Sequence, residues 1–220
     1  MAVREVHVWR ASLSAMEKSE SHRLCTPAEV SGAIRQKVTE AGQKFLLCRG
    51  TVRGILSSYA DISPRRLVFE PGRFETRLRS DQAGSIRFDV SYSGDIMVCA
   101  LSFGHRITVD VQAHDPKIDP MRNSLLTFTE AERRHLAMLQ DDARRQLFFG
   151  YWTRKEALLK VQGLSISTSL GTRPAAGRPG EGPYLTSAGV VVHDVPVAAK
   201  FSGAVASPGH PWRPIARTWE

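Results

Sequence analysis

The order of apolar and polar residues opens the chain as a strand. From Val3 to Leu13, Val6, Val8 and then Trp9 alternate with polar neighbours, the period-two pattern of a half-buried strand. Thr26-Pro27-Ala28-Glu29 next reads as a helix start. It has a threonine cap, a proline at the first helical position and a glutamate placed to reach back to the cap amide. A second helix is expected from about Gly42 to Tyr59, carrying Phe45, Leu46, Leu47, Val52, Ile55 and Leu56. Ser63-Pro64 closes that region, because proline disfavours helical backbone in the residue before it. From Leu67 to Leu101 the period shifts to two. Strands are expected at Leu67 to Phe69, Ile86 to Val90 and Asp95 to Phe103, with Pro71-Gly72 as a turn, and Ile107 to Val111 makes another. After a loop holding Pro116 and Pro120, Thr129-Glu130-Ala131-Glu132 repeats the capping box and starts a helix to about Leu139. A longer helix from about Asp142 to Gln162 ends at Gly163, a residue suited to a left-handed cap.

The two capping boxes begin at Thr26 and Thr129, and the shift of 103 residues that superposes them also carries Val6/Val8 onto Val109/Val111. It carries Phe45 onto Phe148, Ile55-Leu56 onto Leu158-Leu159, and Arg53 onto Glu156. The fold class expected is therefore α+β, built as two similar halves, residues 1–106 and 107–220, around a shared cleft of the kind where sites form. Residues 171–183, rich in glycine and proline, are expected to form a mobile surface loop. Gly189 to Val192 and Val197 to Val205 read as further strands. The proline-rich tail with Trp212 and Trp219 is expected to return to the body.

Composition narrows the class. The chain has 220 residues, of which 42% are hydrophobic and 24% charged, which excludes a disordered chain. Cys25, Cys48 and Cys99 stand far apart with no metal-type spacing, so neither a disulfide framework nor a zinc site is expected. The first residues carry charges where a secretion signal needs an apolar run, and no stretch is long and apolar enough for a membrane span, so the expectation is a soluble cytoplasmic protein. A net charge of +8 points to an anionic partner: nucleic acid, a phosphorylated small molecule or an acidic protein.

Candidate chemistry gathers in three places. Trp152, Glu156 and Lys160 follow at intervals of four on the most apolar helix. A Glu-Lys pair of this spacing on a wet face contributes only about 0.3–0.5 kcal/mol, but this one is flanked by Phe148, Phe149, Tyr151, Leu158 and Leu159. Asp110 lies in an apolar strand and shares a face with Gln112. Either it bonds turn amides at the strand end, or with Gln112 and Glu156 it supplies oxygens for Mg²⁺, a hard cation content with few carboxylates plus water and phosphate. Ser91-Tyr92-Ser93-Gly94 reads as a serine-rich turn. Arg49, Arg53 and Arg73 are either solvated charges or a set of phosphate-holding guanidiniums.

Taken together these motifs resemble the Sfp-type 4′-phosphopantetheinyl transferases, whose hallmarks are an apolar strand ending Asp-x-Glu and a helix reading Trp-x-x-Lys-Glu-x-x-x-Lys. The second is complete as Trp152, Lys155, Glu156 and Lys160, and the first stands as Asp110-Val111-Gln112. Gly72-Arg73-Phe74 and Ser91-Tyr92-Ser93 occupy the places of the family's Gly-Lys-Pro and Ser-His-Ser, and the amino-terminal His-Val-Trp-Arg-Ala strand is similar too. The resemblance runs from about Val6 to Leu170. It implies that phosphopantetheine moves from coenzyme A to a serine of an acidic acyl or peptidyl carrier protein. Asp110 and Glu156, with Gln112, would hold Mg²⁺. Glu156 or a metal-linked water would act as general base, and Lys160 would steady the pyrophosphate. Arg49, Arg53, Arg73, Ser91, Tyr92 and Lys155 would hold coenzyme A. It further implies a cytoplasmic monomer, no membrane and no nucleic acid. Gln112 in place of an acid, Tyr92 in place of histidine, Thr108 in place of glycine and Arg73-Phe74 in place of Lys-Pro are departures. They leave a catalytically weakened binder as the second reading, with a nucleic-acid binder last.

Overall fold

The computed structural model describes residues 4–16, 18–35, 40–71, 76–164, 171, 173–209 and 212–219. The amino-terminal half runs β1 (Arg4–Ser12), α1 (Lys18–Leu24), α2 (Pro27–Arg35) and α3 (Glu40–Ala60), then a 3-10 turn at Pro64–Arg66. A short hairpin, β2 (Phe69–Pro71) and β3 (Thr76–Leu78), follows, then α4 (Ser80–Ala83) and the longer hairpin β4 (Ile86–Ser93) and β5 (Ile96–Phe103). The chain continues through β6 (Thr108–Ala113), α5 (Pro120–Thr127), α6 (Glu130–Ala137), α7 (Asp141–Gln162), β7 (Tyr184–Leu185), β8 (Val190–Asp194), β9 (Phe201–Pro208) and β10 (Trp212–Thr218), the last of which joins the first sheet.

Two four-stranded sheets result, ordered β10-β1-β5-β4 and β6-β9-β8-β7. Their connectivity repeats as the sequence pattern suggests. In each half a first strand precedes a helix set and then pairs antiparallel with the second strand of the following hairpin, β1 with β5 and β6 with β9. Both capping boxes form. The Thr26 amide donates to Glu29 Oε2 at 2.9 Å, and the Thr129 amide donates to Glu132 Oε2 at 2.8 Å. Helix α7 closes at Gly163, whose φ of 69° suits a residue without a Cβ. One core packs α3 on the first sheet through Val52, Ile55, Leu56, Met97 and Leu101. A second lies between the sheets, with Val6, Val8, Val109, Val111 and Val205.

Three helices appear where loops were expected or nothing was assigned. Helix α5 begins at Pro120 because the Asp119 carboxylate accepts from the Met121 and Arg122 amides, so this proline starts a helix instead of interrupting one. Helix α1 packs on α3 at Gly50, where a side chain would collide with the Ser21 backbone. Helix α4 is a single turn. The tail does return: β10 pairs parallel with β1, and Pro214 is tolerated there because β10 is an edge. Trp219 then meets Trp9 edge-on at 6.1 Å.

The segment 171–183 is not the free loop that its composition suggested. Ala175 and Ala176 are buried, and the fully buried Arg154 of α7 donates to the carbonyls of Ala176 and Gly182 at 2.7 and 2.8 Å. The same guanidinium holds Asp194 of β8 in a two-pronged pair at 2.6 and 2.8 Å. Glycine and proline here allow close approach to α7: a Cβ on Gly150 would stand 2.7 Å from Pro179. The segment is a strap laid on the helix that carries Glu156. Pro71 ends β2, and Gly72 and Arg73 lie outside the described residues.

Candidate active site

Strand β6 buries Val109 and Val111 on one face and turns Asp110 toward α7. On α7, positions 156 and 160 are one turn apart and face that strand. Lys160 Nζ donates to Asp110 Oδ1 at 2.8 Å and to the Val109 carbonyl at 3.1 Å, and lies 4.0 Å from Glu156 Oε2. Trp152, one turn before Glu156, donates its indole N–H to Glu156 Oε1 at 2.7 Å. Gln112 Nε2 donates to the other Asp110 oxygen at 3.2 Å, and Ser91 Oγ lies 3.3 Å from Oδ1. Of the two readings left open for Asp110, a turn-capping aspartate is excluded. Its side chain is 2% exposed and is bound by groups of α7 and β4.

The electrostatics are those of two carboxyls pressed together. Burial pushes the Glu156 carboxyl up to about 8, and the adjacent Asp110 carboxylate, within hydrogen-bond reach, pushes the same way. Burial alone would lower the Lys160 ammonium, but Asp110 and Asp89 outweigh it and hold its pKa above the ordinary lysine value. A divalent cation beside these two carboxyls would favour the ionised form of Glu156. Among the described residues no three His, Cys, Asp or Glu side chains converge as a metal cage. Asp110 and Glu156 are the two carboxyls this site could offer a hard cation, a number Mg²⁺ accepts when water and phosphate complete its shell. Gln112 turns its nitrogen toward Asp110, so it holds that carboxylate in place and does not present an oxygen alongside it.

The other expected residues divide. Arg49 and Tyr92 line a cavity of about 190 Å³ between α3 and β4, together with Phe45, Cys48, Phe88 and Asp89. Arg49 stacks its guanidinium over Phe69 at 4.6 Å, and Tyr92 is 55% exposed under the Lys44 ammonium. Arg53 does not reach this space. It is 3% exposed, pairs with both oxygens of Glu29 at 2.9 Å and donates to the carbonyls of Pro64 and Leu67. Lys155 does not reach it either: one residue before Glu156 on the helix, it points about 100° away. Its ammonium lies 2.7 Å from Glu132 Oε2 and donates to the Thr127 carbonyl at 2.8 Å, with 1% of the side chain exposed. A motif written on one line of sequence is thus split by helical geometry into a site face and a core face. The sequence reading missed Asp89, whose Oδ2 accepts the Val109 amide at 2.9 Å. The signal was present in the alternation Phe88-Asp89-Val90-Ser91, where every second residue is polar.

Residues 106–194, which contain β6, α7 and β8, match the model of the 4′-phosphopantetheinyl transferase superfamily. The chain is 30% identical over 170 residues to the 4′-phosphopantetheinyl transferase HetI of Nostoc sp., covering 74% of this chain and 70% of that one. It is 31% identical over 148 residues to slr0495 of Synechocystis sp., covering 67% of this chain and 60% of that protein. The Asp110 and Glu156 carboxyls, with Lys160 between them, lie inside the matched region, and the chain belongs to the 4′-phosphopantetheinyl transferase superfamily.

Proposed function

We propose that the chain transfers the phosphopantetheine arm of coenzyme A to a serine hydroxyl of an apo acyl or peptidyl carrier protein, with Mg²⁺. The cluster of Asp110, Glu156 and Lys160 carries this reading. Asp110 and Glu156 would hold the metal, which when bound would neutralise charge on the coenzyme A diphosphate. Glu156, once ionised, accepts the proton of the carrier serine as its oxygen bonds to the β-phosphorus. The diphosphate P–O bond breaks, and adenosine 3′,5′-bisphosphate leaves with its new charge facing the Lys160 ammonium. Positioning and charge stabilisation supply most of the rate in such in-line transfers. Arg49, Ser91 and Tyr92 would hold coenzyme A. Arg53 and Lys155 are reassigned to the core by their buried ion pairs. Arg73 stays in the phosphate-holding set.

The +8 charge suits an acidic carrier and would speed its encounter with the cleft. Among the described residues no helix is long and apolar enough to cross a membrane, in keeping with a cytoplasmic enzyme. The halves 1–106 and 107–220 would build the whole site within one chain. Incubation with coenzyme A, Mg²⁺ and a panel of apo carriers, followed by intact-mass analysis, tests the proposal; no pantetheine-sized gain on any carrier would count against it. Gln112, which offers no second acid beside Asp110, favours as the alternative a catalytically weakened member that binds coenzyme A or carrier protein without efficient transfer. Coenzyme A binding indifferent to Mg²⁺, without turnover, would select that alternative.

A further inference from the structure

The two sheets meet at β4 and β6, which belong to different sheets and face each other without main-chain pairing. Side chains fill the gap. The amides of Val109, Val111 and Ala113 donate to Asp89 Oδ2, Ser91 Oγ and Ser93 Oγ at 2.9, 3.2 and 3.0 Å. Both strands advance by two residues at each rung, so this is a parallel ladder in which one partner's carbonyls are replaced by side chains. The geometry follows from sheet alternation: amides of 108, 110 and 112 face the opposite side of β6 from those of 109, 111 and 113. Amides facing a seam are costly to leave without an acceptor, and each rung supplies one. The arrangement also fixes what lies between the rungs. Val109 is held at its N–H by Asp89 and at its carbonyl by Lys160, so the two peptide groups that flank it are both fixed, and the next side chain is Asp110. Ser91, accepting from Val111, lies 3.3 Å from Asp110 Oδ1 and is free to donate its hydroxyl hydrogen there.

We propose that Asp89 is a positioning residue, clamping the Thr108–Val109 peptide of β6 across the seam so that Asp110, one residue on, meets Glu156 at the right separation. The proposal rests on reading Asp110 and Glu156 as the reactive pair. Asp110 stands on β6 and Glu156 on α7, so the place of β6 relative to the first sheet and to α7 sets their distance. Asp89 grips the Thr108–Val109 peptide from the first sheet, while Lys160 grips the adjoining Val109–Asp110 peptide from α7. The charge of Asp89 also faces the Lys160 ammonium and adds to its hold.

Three variants separate a clamp from simple destabilisation. Asp89→Ala removes the acceptor, Asp89→Asn keeps an acceptor oxygen, and Ser93→Ala breaks the rung farthest from Asp110. At equal folded concentration, Asp89→Ala should lower kcat roughly 10- to 100-fold, with the KM for coenzyme A within about 3-fold of wild type. Asp89→Asn should recover kcat to within about 3-fold, and Ser93→Ala should lose stability but keep kcat. Amide hydrogen exchange by NMR reads the clamp without any transfer assay. The Val109 amide should exchange faster in Asp89→Ala and return toward wild type in Asp89→Asn. Unchanged Val109 exchange in Asp89→Ala, or equal kcat losses in Asp89→Ala and Ser93→Ala, would overturn the proposal. The expected exchange pattern supports the clamp even in a protein that modifies no carrier, in which case the transferase reading alone fails.

Discussion

Replacing Lys155 by methionine separates the two roles that its place in the motif allows. The side chain is 1% exposed, its ammonium lies 2.7 Å from Glu132, and it sits over the Phe128 ring at 5.0 Å. Methionine keeps most of the buried stem and deletes the charge, leaving the Glu132 side chain inside the protein without its cation. Removing one partner of a buried pair costs about 3–5 kcal/mol. Glu132 would keep two amide donors, Thr129 at 2.8 Å and Ala175 at 2.7 Å, which places the expected loss near the lower end, about 3 kcal/mol. With a urea slope of about 1–3 kcal/mol/M, the unfolding midpoint should fall by about 1 M or more. Urea unfolding followed by fluorescence measures this, and steady-state transfer measures the KM for coenzyme A on the fraction that remains folded. A core role predicts a lower midpoint with KM changed by less than about 3-fold, because nothing that touches phosphate has been lost. An unchanged midpoint with KM raised about 10-fold or more would refute this placement and return Lys155 to the coenzyme A site.

Three further outcomes follow from the same geometry. In the absence of metal the Glu156 carboxyl is raised to about 8, so between about pH 4.5 and 8 the folded state keeps a proton that the unfolded chain has lost. Stability should therefore fall as pH rises through that window; Glu156→Gln should flatten the fall in thermal melts at pH 5 and 8, and equal slopes would contradict it. Arg154→Leu takes the guanidinium from Asp194, which keeps the Gly180 amide and some solvent, and frees two carbonyls of the strap, so it should cost about 1–3 kcal/mol and expose the strap to limited proteolysis. Gly163→Ala places a Cβ at φ 69° and should lower stability by about 1 kcal/mol in the same melts without altering transfer.

What could be read from the residues alone was whatever depends on neighbours in sequence. The capping boxes, the left-handed end of α7 and the stripe of Trp152, Glu156 and Lys160 are local, and the hydrogen bonds drawn from them are present in the structure. The 103-residue shift was legible because two halves of similar connectivity repeat local patterns. Direction around a helix and partnership across the chain were not legible. Arg53 and Lys155 are cations in the right region, yet Glu29 and Glu132, each the closing residue of a capping box, bind them in the core. Composition misjudged the strap for a related reason. Glycine and proline permit a free loop, but they also permit backbone to lie against a helix, and the buried Arg154 decides between the two. Asp89 stayed hidden because its role lies in the backbone of another sheet.

Transfer to a single apo carrier protein, read by intact mass, tests the assignment of Asp110 and Glu156 most directly. With coenzyme A and Mg²⁺, the wild type should shift the carrier by one phosphopantetheine. The shift should vanish with a chelator and in Glu156→Ala. A shift of equal extent in Glu156→Ala, or one indifferent to Mg²⁺, would contradict the reading of these two carboxyls as the metal-dependent centre.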